Sequence, residues 1–126
     1  MMFGEKTGKD VFTMSCIFCR VVSGELPSSK VYESDLVVAF EDIQKVAPVH
    51  VLVVPKQHLA SIAELSPQDA ALLSDIQRAI QSVIAANGLA ESGFRVVTNH
   101  GESAGQTVFH LHFHVIGGRV LETSLG

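Results

Sequence analysis

The run His110-Leu111-His112-Phe113-His114-Val115-Ile116-Gly117-Gly118-Arg119 constrains the fold more than any other segment. Its histidines alternate with apolar residues, and a period of two belongs to a β-strand, where i, i+2 and i+4 share a face. With about 3.3 Å of rise per residue, neighbouring imidazoles project about 6.6 Å apart along one line. Leu111, Phe113 and Val115 then supply the opposite, apolar face for packing on a core. Such a line of imidazoles suits chemistry at phosphorus or the binding of a metal.

A chain of 126 residues is the size of one domain and can bury a single core. It is 47% hydrophobic, yet its longest apolar runs, about five residues, fall far short of the ~18 that suggest a membrane span. The surplus is expected inside the fold or at a subunit interface. A net charge of −4 gives no basic footprint for duplex nucleic acid. Residues 1–14 carry Lys6 and Lys9 but no apolar core of a secretory signal, and are expected to be an N-terminal extension ahead of one domain over 15–126. Both cysteines lie in Cys16-x-x-Cys19, which in a reducing, cytoplasmic setting points to thiols or a metal rather than a disulfide.

The spacing predicts a short helix over Ile17–Val22, ended by Gly24 and Pro27, then strands over Lys30–Glu33 and Leu36–Glu41 around a Ser34-Asp35 turn. His50–Pro55 is an apolar, β-branched run fit for a central strand. A long helix is expected over Ser66–Asn87, with Ser66 as N-cap, Pro67 at N1, Asp69 at capping-box spacing and Gly88 after its end. Leu72, Leu73, Ile76, Ile80, Val83 and Ile84 form its apolar stripe. Phe94–Asn99 and Leu111–Gly117 read as further strands flanking a glycine-containing loop over 101–107. Strands before and after one long helix imply an α+β fold, an antiparallel sheet with a helix on one face.

The histidine strand admits three readings: a polar sheet edge, a zinc site of His-x-His type, or an imidazole nucleophile attacking phosphorus. The preceding loop, Asn99-His100-Gly101-Glu102-Ser103-Ala104-Gly105-Gln106-Thr107, favours the last. Gly101 and Gly105 allow backbone N–H groups to approach an anion, and Gln106 and Thr107 add neutral donors. By default His50 would be a core histidine, Asp42 a turn residue, and Phe18 and Phe40 ordinary core.

From Cys16 to Arg119 the chain resembles the histidine triad (HIT) family of nucleotide-binding proteins. The match rests on Cys16-Ile17-Phe18-Cys19, Glu25-Leu26-Pro27, Ala39-Phe40-Glu41-Asp42-Ile43, Ala47-Pro48-Val49-His50, Val53-Val54-Pro55-Lys56-x-His58 and Gly105-Gln106-Thr107-Val108-x-His110-x-His112-x-His114, all in family order. The ending Val115-Ile116-Gly117-Gly118-Arg119 is similar to the Hint branch, whose members are nucleoside phosphoramidases. The resemblance implies a HIT-like sheet of about five strands, a homodimer, and a purine nucleotide such as AMP or an adenosine phosphoramidate as ligand. It makes His112 the nucleophile that forms a nucleotidyl-histidine intermediate. His114, Gln106 and Thr107 would meet the α-phosphate, with His50 beside the catalytic histidine. Asp42, Ile43 and Asn99 would receive the ribose, and Phe18, Val21 and Phe40 the base. Some relatives hold a structural zinc through the counterparts of Cys16, Cys19, His58 and His110; the same residues could instead be buried thiols, with His58 orienting His110.

The chain departs from the Hint pattern in having no tryptophan and only Val120-Leu121-Glu122-Thr123-Ser124-Leu125-Gly126 after Arg119, where relatives shape the leaving-group pocket. His100 stands where relatives often carry an acid, and the sequence assigns it no role. The expected activity is hydrolysis of the P–N bond of nucleoside phosphoramidates. The alternatives are a nucleotide-binding interaction module and a metalloenzyme that uses the triad itself as zinc ligands.

Overall fold

A computed structural model describes residues 16–124, so the expected extension over 1–14 lies outside the described residues. In chain order the main elements are α1 (Ile17–Val22), β1 (Lys30–Glu33), β2 (Val37–Glu41), β3 (Val49–Pro55), α2 (Ala70–Ala86), α3 (Leu89–Ser92), β4 (Phe94–Val97) and β5 (Phe113–Gly117). The strands form one five-stranded antiparallel sheet in the order β1-β2-β3-β5-β4, so the last strand enters between β3 and β4. This is the expected α+β architecture.

Alternation sorts the sheet into two faces. Val37, Ala39, Val51, Val53, Leu111, Phe113 and Val115 point to α2 and bury Leu72, Ile76, Ala79, Ile80 and Val83 in the larger core. Val38, Phe40, Leu52 and Val54 point the other way and pack with Phe18 and Val21 of α1. The apolar face expected of Leu111, Phe113 and Val115 is therefore the α2 face. The histidines lie on the α1 face.

Three features differ from the expectation. The long helix begins as a 3-10 turn over Pro67–Asp69 before α2, although the Ser66–Asp69 capping box is present. Leu73 of the stripe is 40% exposed, whereas Ile84 packs partly against the core. The triad strand starts only at Phe113, which pairs with Val53 of β3, while pairing with β4 reaches no further than His114 opposite Val97. The Thr98 hydroxyl donates to the carbonyl of His112 at 2.7 Å, tethering the extended approach to β5 by a side chain rather than by a ladder.

One buried acid is not apparent from the sequence pattern. Asp75 lies on the core side of α2, where its carboxylate accepts from Tyr32 Oη at 2.7 Å and from the Ser34 hydroxyl. These bonds hold edge strand β1 to the helix. The Ser34 hydroxyl, with Tyr32 and Arg78 nearby, outweighs burial and holds the Asp75 carboxyl below its usual range.

Candidate functional site

On the α1 face an open cavity of about 710 Å³ runs between α1, the segment Leu26–Ser29, the end of β2 and the approach to β5. Phe18, Val21, Leu26, Phe40, Leu52 and Val108 make it apolar, while Asp42, Thr107, His112 and His114 gather polar groups in it. Phe18 meets Phe40 edge to face at 5.7 Å and His112 at 5.0 Å, so one ring joins the apolar wall to the imidazoles.

Hydrogen-bond partners assign the tautomers of the triad. His112 Nδ1 lies 2.7 Å from the carbonyl oxygen of His110, which can only accept. Nδ1 therefore carries the proton and the lone pair sits on Nε2, in a ring that lines the cavity. His50 Nδ1 accepts from the Val46 N–H at 3.1 Å, so its proton is on Nε2. That nitrogen lies 2.9 Å from His114 Nδ1 and 3.3 Å from Asp42 Oδ2. His114 accepts at Nδ1 and keeps its proton on Nε2, where it is a neutral donor.

The sheet register explains these meetings. Leu52 pairs with His114 across β3 and β5, and His50, two residues back on the same face, reaches His114 diagonally. Burial, then His112 and His50 alongside, pushes His114 down to about 4. Burial also lowers His50, against the pull of Asp42. Both are neutral at pH 7.

The loop before the histidines differs from the expected anion cradle. Gln106 is 4% exposed and does not line the cavity. Its Nε2 donates to the carbonyls of Ala60 at 2.8 Å and Val108 at 3.1 Å, and its Oε1 accepts from the Gly101 N–H at 2.8 Å. The backbone N–H groups of Ala104, Gly105 and Gln106 bond within the loop. Gln106 thus braces the loop from inside, because two carbonyls and an N–H there need partners, and Thr107 is the loop donor at the cavity. Asn99 and Gly105 do not line it either.

Asp42 has its default turn role and also lines the cavity: Oδ1 accepts from the Gln44 N–H at 2.9 Å and Oδ2 faces His50. Ile43 stands at the cavity mouth, 96% exposed. The sequence pattern did not single out Leu26, Leu52 and Val108 as cavity walls; the alternation from His50 to Leu52 was a usable signal for one of them. Nor did it single out Arg119, whose Nε donates to the carbonyl of Val46, the residue whose N–H sets the His50 tautomer. His100 bonds the buried Ser61 hydroxyl at 2.7 Å, away from the triad.

Behind Phe18 lies a second cluster. The ligand atoms of Cys16, Cys19, His58 and His110 all lie within 4.8 Å of one another. Cys16 Sγ is 3.3 Å and Cys19 Sγ 3.6 Å from His110 Nδ1, and Cys19 Sγ is 3.2 Å from His58 Nδ1. His110 Nε2 donates to the Pro55 carbonyl at 2.8 Å, which leaves the Nδ1 lone pair facing the sulfurs. Bonds of about 2.0–2.3 Å in a tetrahedron separate the ligands by roughly 3.3–3.8 Å, so two thiolates and two neutral imidazoles here fit Zn²⁺. Asp42, His50 and His114 form another possible ligand set, but their facing atoms are already bonded to one another. No helix among the described residues is long and apolar enough to cross a membrane.

Comparison with known proteins agrees with this geometry. The model of the HIT domain family matches residues 23–121. An uncharacterised HIT-like protein of Synechococcus elongatus is 45% identical over 105 residues, covering 83% of this chain and 91% of that protein. The structure of a HIT family hydrolase from Clostridium thermocellum superposes with a TM-score of 0.85 at 44% identity, covering 90% of this chain and 98% of that one. A histidine triad nucleotide-binding protein from Candida albicans superposes with a TM-score of 0.74 at 33% identity, covering 87% of each chain.

Proposed function

Because this chain belongs to the HIT domain family, we propose that it is a nucleotide-binding hydrolase that cleaves the P–N bond of nucleoside phosphoramidates, adenosine ones among them, through His112. One observation carries the reading: the His110 carbonyl holds the His112 proton on Nδ1 and leaves the Nε2 lone pair in the cavity. A neutral imidazole with a free ring nitrogen is a competent nucleophile.

In the first step Nε2 attacks the α-phosphorus, and the electron pair of the breaking P–N bond leaves with the nitrogen, which takes up a proton from solvent. His114 Nε2–H and the Thr107 hydroxyl donate to the phosphoryl oxygens as charge grows on them. Water then attacks the phosphorus of the nucleotidyl-histidine and gives up a proton to solvent, and the P–N electron pair returns to Nε2 as His112 departs as neutral imidazole. The base lies between Phe18, Val21 and Phe40, and the ribose against Asp42 and Ile43, whose apolar side chain a bound ligand would cover. Asp42 has lone pairs left for a ribose hydroxyl besides those facing Gln44 and His50.

Zinc held by Cys16, Cys19, His58 and His110 would fix α1, and with it Phe18, against the catalytic strand. The domain acts in the cytoplasm and pairs as a homodimer through edge strand β4, where Phe94 and Val96 are 43% and 39% exposed. The test is steady-state hydrolysis of an adenosine phosphoramidate. His112→Ala should lower kcat by several orders of magnitude while AMP binding survives. A variant that keeps a tenth of the wild-type rate refutes the nucleophile.

A further inference from the structure

Ser28 lines the cavity, and its hydroxyl is the one buried side-chain polar atom without a hydrogen-bond partner among the described residues. Its position is fixed from both sides. Leu26, two residues earlier, packs with Phe18, Val21 and Phe40, and the Ser29 carbonyl accepts from the Glu41 N–H at 3.0 Å. Ser28 therefore lines the cavity between Leu26, at its apolar part, and the point where Ser29 bonds to Glu41.

A buried hydroxyl without a partner destabilises the free fold, and an alanine here would carry no such penalty. The interaction is recovered when a ligand brings a polar atom to it. A serine Oγ has three staggered positions and can both donate and accept, so a turn about χ1 can offer it to a planar ring seated in the cavity. The side chains of the apolar walls Phe18, Val21, Leu26 and Phe40 offer only carbon, and cannot tell one heterocycle from another.

We propose that Ser28 is a specificity-determining residue, its hydroxyl pairing with the polar edge of the nucleobase. The proposal rests on the reading of the cavity as a nucleotide site. It gives the apolar slot a means of distinguishing a nitrogen-bearing edge from a plain hydrophobic ring.

The experiment is calorimetric titration of wild type and Ser28→Ala with AMP and with ribose 5′-phosphate, alongside thermal melts of the ligand-free proteins. Loss of one neutral hydrogen bond should weaken AMP about fivefold. Ribose 5′-phosphate affinity should not change, and the ligand-free melting temperature should stay level or rise. Ser28→Thr, which keeps the hydroxyl, should recover AMP affinity. A change in AMP affinity below about twofold overturns the proposal, as does an equal loss for both ligands or a lowered ligand-free melting temperature, each of which makes Ser28 a packing residue. If wild type binds AMP no more tightly than ribose 5′-phosphate, the nucleotide-site reading fails as well, and the two failures are told apart by that wild-type comparison.

Discussion

Gln106→Glu separates two roles for the loop before the triad. The substitution keeps the shape of the side chain but replaces Nε2, which donates to the Ala60 and Val108 carbonyls, with an oxygen. The Oε1 contact with the Gly101 N–H can persist. At 4% exposure, water cannot easily reach the two carbonyls, and each unmet buried group costs about 1–3 kcal/mol. The introduced carboxyl, once protonated, can satisfy one of them at the expense of its own ionisation, so about 2–4 kcal/mol of destabilisation is expected. In a domain of this size that corresponds to a fall in Tm of roughly 8–16 °C. Circular dichroism melts of the ligand-free protein measure it, and titration with AMP well below the transition measures binding. The expected outcome is a large loss of stability with a smaller loss of affinity. A Tm within about 2 °C of wild type combined with lost AMP affinity would refute the bracing role, and would return Gln106 to the phosphate.

Further outcomes follow from the titratable and metal-ligating groups and from the sheet edge. His50 and His114 are both held below the ordinary histidine value in the fold while their unfolded counterparts take up a proton near 6.5, so the stability they contribute is present above that pH and is lost as pH falls below it, for His114 through about 4. Tm plotted against pH should therefore slope less steeply over that window in His114→Asn; an unchanged slope contradicts the assignment. Protein purified under reducing conditions should contain about one Zn²⁺ per chain and should lose thermal stability on chelation. Elemental analysis without stoichiometric metal would return Cys16 and Cys19 to the core as thiols. Light scattering at micromolar concentration should give twice the 13.5 kDa of one chain, and a mass of 13.5 kDa ends the dimer.

The parts of the fold that repeat locally were legible in the sequence. Alternation from His110 to Val115 placed the histidines on one face and Leu111, Phe113 and Val115 on the other, and the Ser66-Pro67-x-Asp69 signature marked the start of the long helix. What escaped were groups whose partners come from distant segments. Asp75 reads as a polar interruption of the α2 stripe until Tyr32 and Ser34 are brought to it, and Gln106 reads as a loop donor until Ala60 arrives beneath it. The start of β5 depends on how far its pairing with β3 and β4 runs, a property of the pairs rather than of any one strand. At the site, family order pointed to His112 as the proposed nucleophile, but its free nitrogen is set by a backbone carbonyl two residues away, which no side-chain pattern reveals.

The central claim is that His112 Nε2 forms a covalent bond to phosphorus. Intact-mass measurement after rapid mixing with an adenosine phosphoramidate tests it most directly. The predicted result is a species heavier by one adenylyl group, mapping to His112 on acid-free peptide digestion, absent in His112→Ala and decaying as AMP appears. Turnover at the wild-type rate with the adduct on another residue, or the same adduct in His112→Ala, would contradict it.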